Sequence, residues 1–164
     1  MIKEVTGDIL LTKAQAIAHG VAPNDHFSSG LALSLRELYP AMHQDFRHFC
    51  HSNSPKVGTS WLWGSADGKR IINLFTQEPA PNHSHAHPGK ATVANVNHAL
   101  RDLCPVVEKE KIKSLALPKL ATGVGGLDWD DVKPLIARHL SDLGIPIFIY
   151  TTFHKGLQAN EELV

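Results

Sequence analysis

The sequence predicts an α/β fold in which a largely parallel sheet carries helices on both faces. Segments with strand composition alternate with segments of helical periodicity along the whole chain, an order that joins parallel strands through helices. A single hairpin signal, the Asp67-Gly68 pair between two apolar runs, interrupts this order. The length of 164 residues and the 43% of hydrophobic residues are typical of one domain with its own core.

Several segments have the composition of strands, being apolar and rich in β-branched residues. The second of them, AQAIAHGV, is an apolar run that only His19 breaks, which suits a central strand buried on both faces. The predicted strands are residues 2–11, 14–21, 57–63, 70–76, 114–117 and 145–152.

Other segments repeat apolar residues with helical spacing. In GLALSLRELY, Leu31, Leu35 and Leu38 fall at i, i+4 and i+7, and Pro40 ends this helix or opens the next. Gly144 follows the last periodic segment and suits a helix cap. The predicted helices are residues 30–39, 41–52, 91–107 and 129–143. We expect the domain to span residues 1–154, with residues 155–164 as a loose polar tail.

The charge balance argues against broad nucleic-acid binding. Lysine and arginine together number 16, as do aspartate and glutamate, so the formal net charge is zero. Proteins that hold nucleic acid chiefly through its phosphates carry a basic excess. The phosphates of one small nucleotide can instead be held by backbone N–H groups, which add nothing to the net charge.

No membrane segment, metal site or cofactor is expected. The first twenty residues carry Glu4 and Asp8 and lack a signal peptide's apolar stretch, and no run approaches the ~18 apolar residues of a membrane helix. The two cysteines lack metal-ligand spacing and suit small buried side chains. His83, His85 and His87 alternate, which suits a polar loop better than a zinc site. We therefore expect a cytoplasmic protein. We also expect a monomer.

Candidate site residues follow three of the predicted strands, where ligands of such sheets bind. The first group is Gly7-Asp8-Ile9, whose carboxylate can accept hydrogen bonds from an adenine amino group or a ribose, or can cap a turn. The second is the loop that ends in Ser28-Ser29-Gly30, directly before a helix. Small residues there let a phosphate approach the helix N-terminus, although either serine can also be a plain cap.

The third group is the glycine-rich loop PKLATGVGGLDW between a strand and a helix. Glycines lack a Cβ, so they permit positive φ and a close approach of the backbone to a diphosphate. The loop lacks the Gly-Lys-Ser/Thr of a Walker loop, and its spacing differs from that of the dinucleotide fingerprint.

These motifs together resemble the macrodomain family. GDIL, AHGV followed by SSGLA, RIINLFTQ, PKLATGVGGLDW and IFIYTT occur in this order and cover about nine tenths of the chain. The resemblance is closest to the branch of terminal ADP-ribose glycohydrolases and yeast-type ADP-ribose-1″-phosphate phosphatases. It implies a three-layer α/β/α sandwich with a mixed, largely parallel sheet, and it implies ADP-ribose or an ADP-ribosylated molecule as the partner.

The resemblance also implies a role for each segment. Asp8 would hold the adenine amino group with Ile9 behind the ring, and Tyr150 or Phe153 would pack against adenine unless it only fills the core. The two loops would enclose the diphosphate and the distal ribose. The implied ligand-binding residues are Gly7, Asp8, Ile9, Ser28, Ser29, Gly30, Leu31, Gln77, Thr122, Gly123, Val124, Gly125, Gly126, Tyr150 and Phe153.

The sequence differs from similar glycohydrolases at two catalytic positions. Similar glycohydrolases use a lysine after the strand that matches RIINLFT and an aspartate in the second glycine-rich loop, but here Gln77 and Gly125 occupy those positions. An amide cannot form the covalent adduct of an amine. Three candidate catalytic residues remain: His19, which could transfer a proton or be structural, Asp25 in the first loop, and Asp128, which could activate water or cap a helix.

Two functions therefore stay open. The favoured one is hydrolysis at the distal ribose, either removing ADP-ribose from a target or removing a 1″-phosphate. The alternative is a non-catalytic module that binds ADP-ribose. A third interpretation assigns no ligand: a generic α/β domain whose glycines only form turns.

Overall fold

The computed structural model describes residues 1–80 and 88–162, so the expected loop histidines at 83, 85 and 87 lie outside the described residues. Within these ranges the chain forms six strands and four α-helices, with short 3₁₀ turns at Ile9–Leu11 and Ser141–Leu143. The strands are β1 (Ile2–Gly7), β2 (Ala16–Val21), β3 (Ser60–Gly64), β4 (Arg70–Phe75), β5 (Leu115–Pro118) and β6 (Ile147–Phe153). The helices are α1 (Gly30–Leu38), α2 (Pro40–Asn53), α3 (Val93–Lys109) and α4 (Trp129–Leu140).

The strands form one mixed sheet in the order β1-β6-β5-β2-β4-β3. All neighbouring pairs are parallel except β3 and β4, the hairpin that Asp67-Gly68 predicts. Gly68 adopts a φ of +94°, which a residue with a Cβ rarely adopts. The predicted largely parallel sheet is confirmed.

Two apolar cores lie on opposite faces of this sheet and make three layers. Side chains alternate along β2: Ala16 and Ala18 pack with α3 and α4, whereas Ile17 and Val21 pack with α1 and α2. Phe27, from the loop after β2, belongs to the second core together with Phe46 of α2. The three-layer α/β/α sandwich is therefore confirmed.

The sheet order creates a crevice between β5 and β2. These strands are adjacent and parallel, but β2 leads to α1 on one face and β5 leads to α4 on the other. The loops at their carboxyl ends consequently diverge, which is the condition for a ligand crevice in an open α/β sheet. We call the loop that ends in Ser28-Ser29-Gly30 the first glycine-rich loop and the loop PKLATGVGGLDW the second, and both border this crevice.

The main differences from the sequence expectations are at the ends of elements. The first strand stops at Gly7 because Asp8 caps a 3₁₀ turn, and the third begins at Ser60 instead of residue 57. Leu38 lies at the end of α1 and is exposed, so only Leu35 of the predicted apolar face is fully buried. No helix of the described ranges is both long and apolar enough to cross a membrane.

The expectation of a loose C-terminal tail is wrong for its described part, residues 155–162. The backbone N–H of Asp8 donates to the Leu157 carbonyl over 2.7 Å. Ala159 is buried in the core beneath α1 and α2. Glu161 accepts hydrogen bonds from Thr12 and from the Lys13 N–H. Although the segment is mostly polar, Ala159 attaches it through apolar packing and Glu161 attaches it through hydrogen bonds.

Candidate functional site

Two adjoining cavities lie at the carboxyl edge of the sheet. The first cavity, of about 450 Å³, lies at the ends of β1 and β6. The second cavity, of about 480 Å³, lies between the two glycine-rich loops. They share Gly30, Leu31 and Pro118 as lining residues, so together they form one elongated cleft.

Asp8 contributes a carboxylate to the first cavity and caps a turn as well. Its Oδ1 accepts from the Leu10 N–H and its Oδ2 from the Gly156 N–H, each over 3.0 Å. Each carboxylate oxygen has a second lone pair, so Asp8 can still accept a hydrogen bond from a ligand. The capping interpretation of Asp8 is therefore confirmed, and its binding of a ligand stays a prediction that the free lone pairs allow.

The two aromatic residues of β6 differ in exposure. Tyr150 is 6% exposed and belongs to the core, yet one part of it lines the first cavity. Phe153 is 68% exposed at the same cavity. One buried and one exposed aromatic side chain therefore line the first cavity, an arrangement that suits a flat, heteroaromatic ligand.

The N-terminus of α1 lies where the two cavities meet. Ser29 is the N-cap, and Gly30 begins the helix with a φ of +60°. Gly30, Leu31 and Ala32 line the second cavity, and the first turn of a helix has N–H groups without intrahelical acceptors. These donors and the positive end of the helix dipole favour an anion such as a diphosphate.

The second glycine-rich loop approaches from the other side of the cleft. Gly123, Val124 and Gly125 line the second cavity. A Cβ on Gly125 would lie 2.6 Å from the Ala121 carbonyl oxygen and 3.0 Å from the Cβ of Ala91. This loop conformation therefore excludes any side chain at residue 125, including an aspartate.

We expect Gly125→Ala to destabilise the fold by about 1–3 kcal/mol, because its Cβ forces the loop away from Ala121. Chemical denaturation of both proteins measures the difference in free energy of unfolding. Gly123→Ala is the matched control, since a Cβ there meets no atom within 4 Å among the described residues. Equal stabilities for the two variants would contradict the close packing at Gly125.

His19 lines the second cavity near the end of β2 and is 2% exposed. Its Nε2 lies 2.7 Å from Oδ1 of Asn73 on β4. A carbonyl oxygen can only accept, so Nε2 carries the proton and Nδ1 keeps its lone pair. Burial lowers the pKa of His19 to about 4 from the usual 6.5, against the opposing effect of the Asn73 hydrogen bond. The ring is therefore neutral near pH 7.

Asp25 lines the second cavity and also shapes the first loop. Its Oδ1 accepts from the Phe27 N–H over 2.9 Å and its Oδ2 from the Ala22 N–H over 3.0 Å. Burial raises the pKa of Asp25 above its usual value, while these two hydrogen bonds act in the opposite direction. Phe27 has a φ of +53°, a strained value for an aromatic residue that the Asp25 bond helps to hold.

We expect Asp25→Asn to lower the free energy of unfolding by about 1–3 kcal/mol, because an amide cannot accept both backbone hydrogen bonds. The –NH₂ group would face either the Ala22 or the Phe27 donor. Asp67→Asn is the control: Asp67 accepts from the Lys69 N–H in an exposed turn, where water can replace it. Denaturant unfolding that gave the two variants the same stability would count against this account of Asp25.

Gln77 occupies the wall of the second cavity with its side chain engaged. It is buried, and its Nε2 donates to the Gly89 carbonyl over 3.3 Å. Its backbone pairs with Ala91 in an isolated bridge. The amide thus connects the end of β4 to the segment that enters α3 and offers no nucleophile.

The family model of the Macro domain matches residues 28–136 of this chain. The chain belongs to the macrodomain family. It is 33% identical to the DNA ADP-ribosyl glycohydrolase of Mycobacterium tuberculosis over 87% of its own length and 40% of that protein. It is 25% identical to the ADP-ribose 1″-phosphate phosphatase of Candida albicans, over 81% of this chain and 90% of that one.

A solved structure shows the same fold. The macrodomain of Mycobacterium tuberculosis DarG superposes with a TM-score of 0.79 and 27% sequence identity, over 92% of this chain and 97% of that one. The chain spans about two fifths of the length of the DNA ADP-ribosyl glycohydrolases that it matches. The macrodomain assignment made from the sequence motifs is confirmed.

The macrodomain cleft brings together most of the residues singled out in the sequence. Three of them lie outside both cavities: Thr122, Gly126 and Asp128. The Thr122 hydroxyl donates to the Lys119 carbonyl. Asp128 is the N-cap of α4 and accepts from the Asp130 N–H over 3.0 Å. A catalytic part for Asp128 stays a prediction.

Sequence reasoning missed Asn73, which supports the cleft residue His19, and Lys155, which lines the cleft itself. Asn73, which holds His19, is an isolated polar residue inside the apolar strand RIINLF, and that position was a usable signal. Lys155 lines the first cavity although it follows β6 in the supposed tail. Across residues 1–80 and 88–162, no group of three or more histidine, cysteine or acidic side chains could hold a metal ion.

Proposed function

We propose that this macrodomain binds the ADP-ribosyl group in the elongated cleft and hydrolyses the bond at C1″ of the distal ribose. In this orientation adenine occupies the first cavity, beside Asp8 and between the aromatic residues of β6. The diphosphate lies across the N-terminus of α1. The distal ribose occupies the second cavity, which His19 lines.

The single observation that carries the proposal is the position of His19. A neutral histidine whose Nδ1 is the unprotonated ring nitrogen lines the second cavity, where the distal ribose would lie. Such a group can take a proton from water as the water oxygen bonds to C1″. The bond from C1″ to the leaving group breaks, and the proton that His19 took from water passes to the leaving group, which regenerates the neutral histidine. The products are ADP-ribose and the unmodified target.

DNA-linked ADP-ribose is the substrate that we favour. The support comes from the relatives named DNA ADP-ribosyl glycohydrolases, which match this chain at up to 33% identity. Because the chain has a net charge of zero, we propose that it contacts the modified nucleotide and does not bind nucleic acid broadly. We further propose that the protein acts as a monomer in the cytoplasm.

Binding is tested first by calorimetric titration with ADP-ribose, with NAD and AMP as controls. Turnover is then measured on an ADP-ribosylated oligonucleotide, by release of free ADP-ribose, and on ADP-ribose 1″-phosphate, by release of phosphate. Release from the oligonucleotide supports the favoured substrate, whereas faster release of phosphate supports the phosphatase-type reaction. A protein that fails to bind ADP-ribose would contradict the whole proposal.

A specific observation favours the alternative of a non-catalytic binding module. Gln77 uses its amide to hold Gly89, and the backbone around Gly125 excludes an aspartate. Neither position can supply the lysine and aspartate of similar glycohydrolases. ADP-ribose binding without turnover of either substrate would identify the protein as such a module.

A further inference from the structure

The described end of the chain returns to the first cavity after β6. We call residues 155–162 the C-terminal strap. Lys155 lines the first cavity. The Gly156 N–H donates to Oδ2 of Asp8 over 3.0 Å, and the Leu157 carbonyl accepts from the Asp8 N–H over 2.7 Å. The strap therefore holds Asp8 by both its side chain and its backbone.

The approach of the strap to β1 is close enough to require glycine at residue 7. A Cβ on Gly7 would lie 2.8 Å from the Leu157 carbonyl oxygen and 2.9 Å from the Cβ of Ala159. Ala159 is itself buried in the core. The Gly7-Asp8 pair of the sequence thus accommodates the strap as well as lining the cavity.

Glu161 anchors the far end of the strap. Its Oε2 accepts from the Thr12 hydroxyl and the Tyr150 hydroxyl, each over 2.5 Å. Its Oε1 accepts from the Lys13 N–H over 2.9 Å. One carboxylate therefore ties the strap to the chain after the 3₁₀ turn and to an aromatic wall of the first cavity.

We propose that the C-terminal strap is part of the recognition site for a 6-aminopurine ring, with Glu161 as its positioning residue. Glu161 acts through the strap that it anchors, because the Gly156 N–H of the strap fixes the direction of the Asp8 carboxylate. Glu161 also holds the Tyr150 hydroxyl at the first cavity. The inference rests on the proposed function, because adenine is the ring placed in that cavity.

A positioned Asp8 carboxylate gives the site its selectivity. Two backbone donors engage its oxygens, so the remaining lone pairs have defined directions. The 6-amino group of adenine can donate to such a lone pair, whereas the 6-oxo group of hypoxanthine presents an acceptor to it. Holding these groups in place before binding also removes the entropy cost of ordering them with the ligand.

The test compares ADP-ribose with its hypoxanthine analogue, inosine diphosphate ribose, by calorimetric titration. The wild-type protein should prefer ADP-ribose. Glu161→Ala should raise the Kd of ADP-ribose about tenfold, the size of one charge-assisted hydrogen bond. It should raise the Kd of the hypoxanthine analogue less, so the preference between the two ligands shrinks.

Two further variants keep the test decisive. Glu110→Ala is the matched control, because Glu110 is exposed at the end of α3 and lines neither cavity; both Kd values should stay at the wild-type level. Tyr150→Phe removes one of the three hydrogen bonds to Glu161, so it should reproduce part of the loss of preference, and it decides the matter if Glu161→Ala does not fold.

The outcomes separate this inference from the proposed function. If the wild-type protein binds ADP-ribose and both Glu161→Ala and Tyr150→Phe keep the wild-type preference, the strap has no part in recognition. An equal loss of affinity for both ligands would also overturn the inference, since it indicates a purely structural anchor. If the wild-type protein binds neither ligand, the proposed function itself fails.

Discussion

Replacing His19 with alanine is expected to lower the rate of hydrolysis by about 10²–10⁴-fold, the usual contribution of a positioned general base. The Kd of ADP-ribose should change far less, because His19 is assigned to the attacking water and not to the ligand. Single-turnover kinetics on the ADP-ribosylated oligonucleotide, with a parallel calorimetric titration, measure the two quantities separately.

The pH dependence of the wild-type rate gives a second test of His19. With a pKa of about 4 in the fold, Nδ1 keeps its lone pair throughout neutral and mildly acidic solution. The rate should therefore stay level from pH 8 down to about pH 5.5 and decline only as the pH approaches the lowered pKa. A decline centred near 6.5, the value of a free histidine, would contradict the assignment.

Two variants provide the controls for His19. His48 is an exposed histidine on α2, and His48→Ala should leave the rate unchanged. Asn73→Asp places a carboxylate beside Nε2, which raises the pKa of His19, so the rate should begin to decline at a higher pH. An unchanged rate in His19→Ala would remove the basis of the proposed mechanism and leave the binding module.

Replacing Asp8 with alanine is expected to raise the Kd of ADP-ribose about 10- to 100-fold. The variant loses the acceptor for the adenine amino group, and it also leaves the Leu10 and Gly156 N–H groups without their partner. Calorimetric titration measures the change. NAD and AMP serve as ligands that share the adenine end.

Asp8→Asn separates the two losses. Its amide keeps the shape of the side chain and one acceptor oxygen, so its Kd should fall between those of the wild type and Asp8→Ala. Glu4→Ala on the same strand is the control, since the Glu4 side chain makes only an exposed ion pair with Lys133 within the described structure. Wild-type affinity in Asp8→Ala would show that adenine lies elsewhere.

Much of the fold was predictable from local patterns in the chain. A strand or helix shows its period within a few residues, so the alternation of elements and the hairpin at Asp67-Gly68 were readable in sequence order. Asp8 and the two glycine-rich loops were found as candidates because turn and phosphate-binding residues are confined to few types. The predicted ends of helices and strands were less accurate, because capping contacts such as that of Asp8 determine where an element stops.

The site itself depends on contacts between residues far apart in the chain. Asn73 contacts His19 because β4 lies beside β2, and that hydrogen bond decides which ring nitrogen of His19 carries the proton. Glu161 reaches Thr12 and Tyr150 only after the strap folds back over β1. Such pairings depend on strand order and on side-chain packing in three dimensions. The periodicity of the sequence predicts neither strand order nor packing partners, because it shows only which face of each segment is buried.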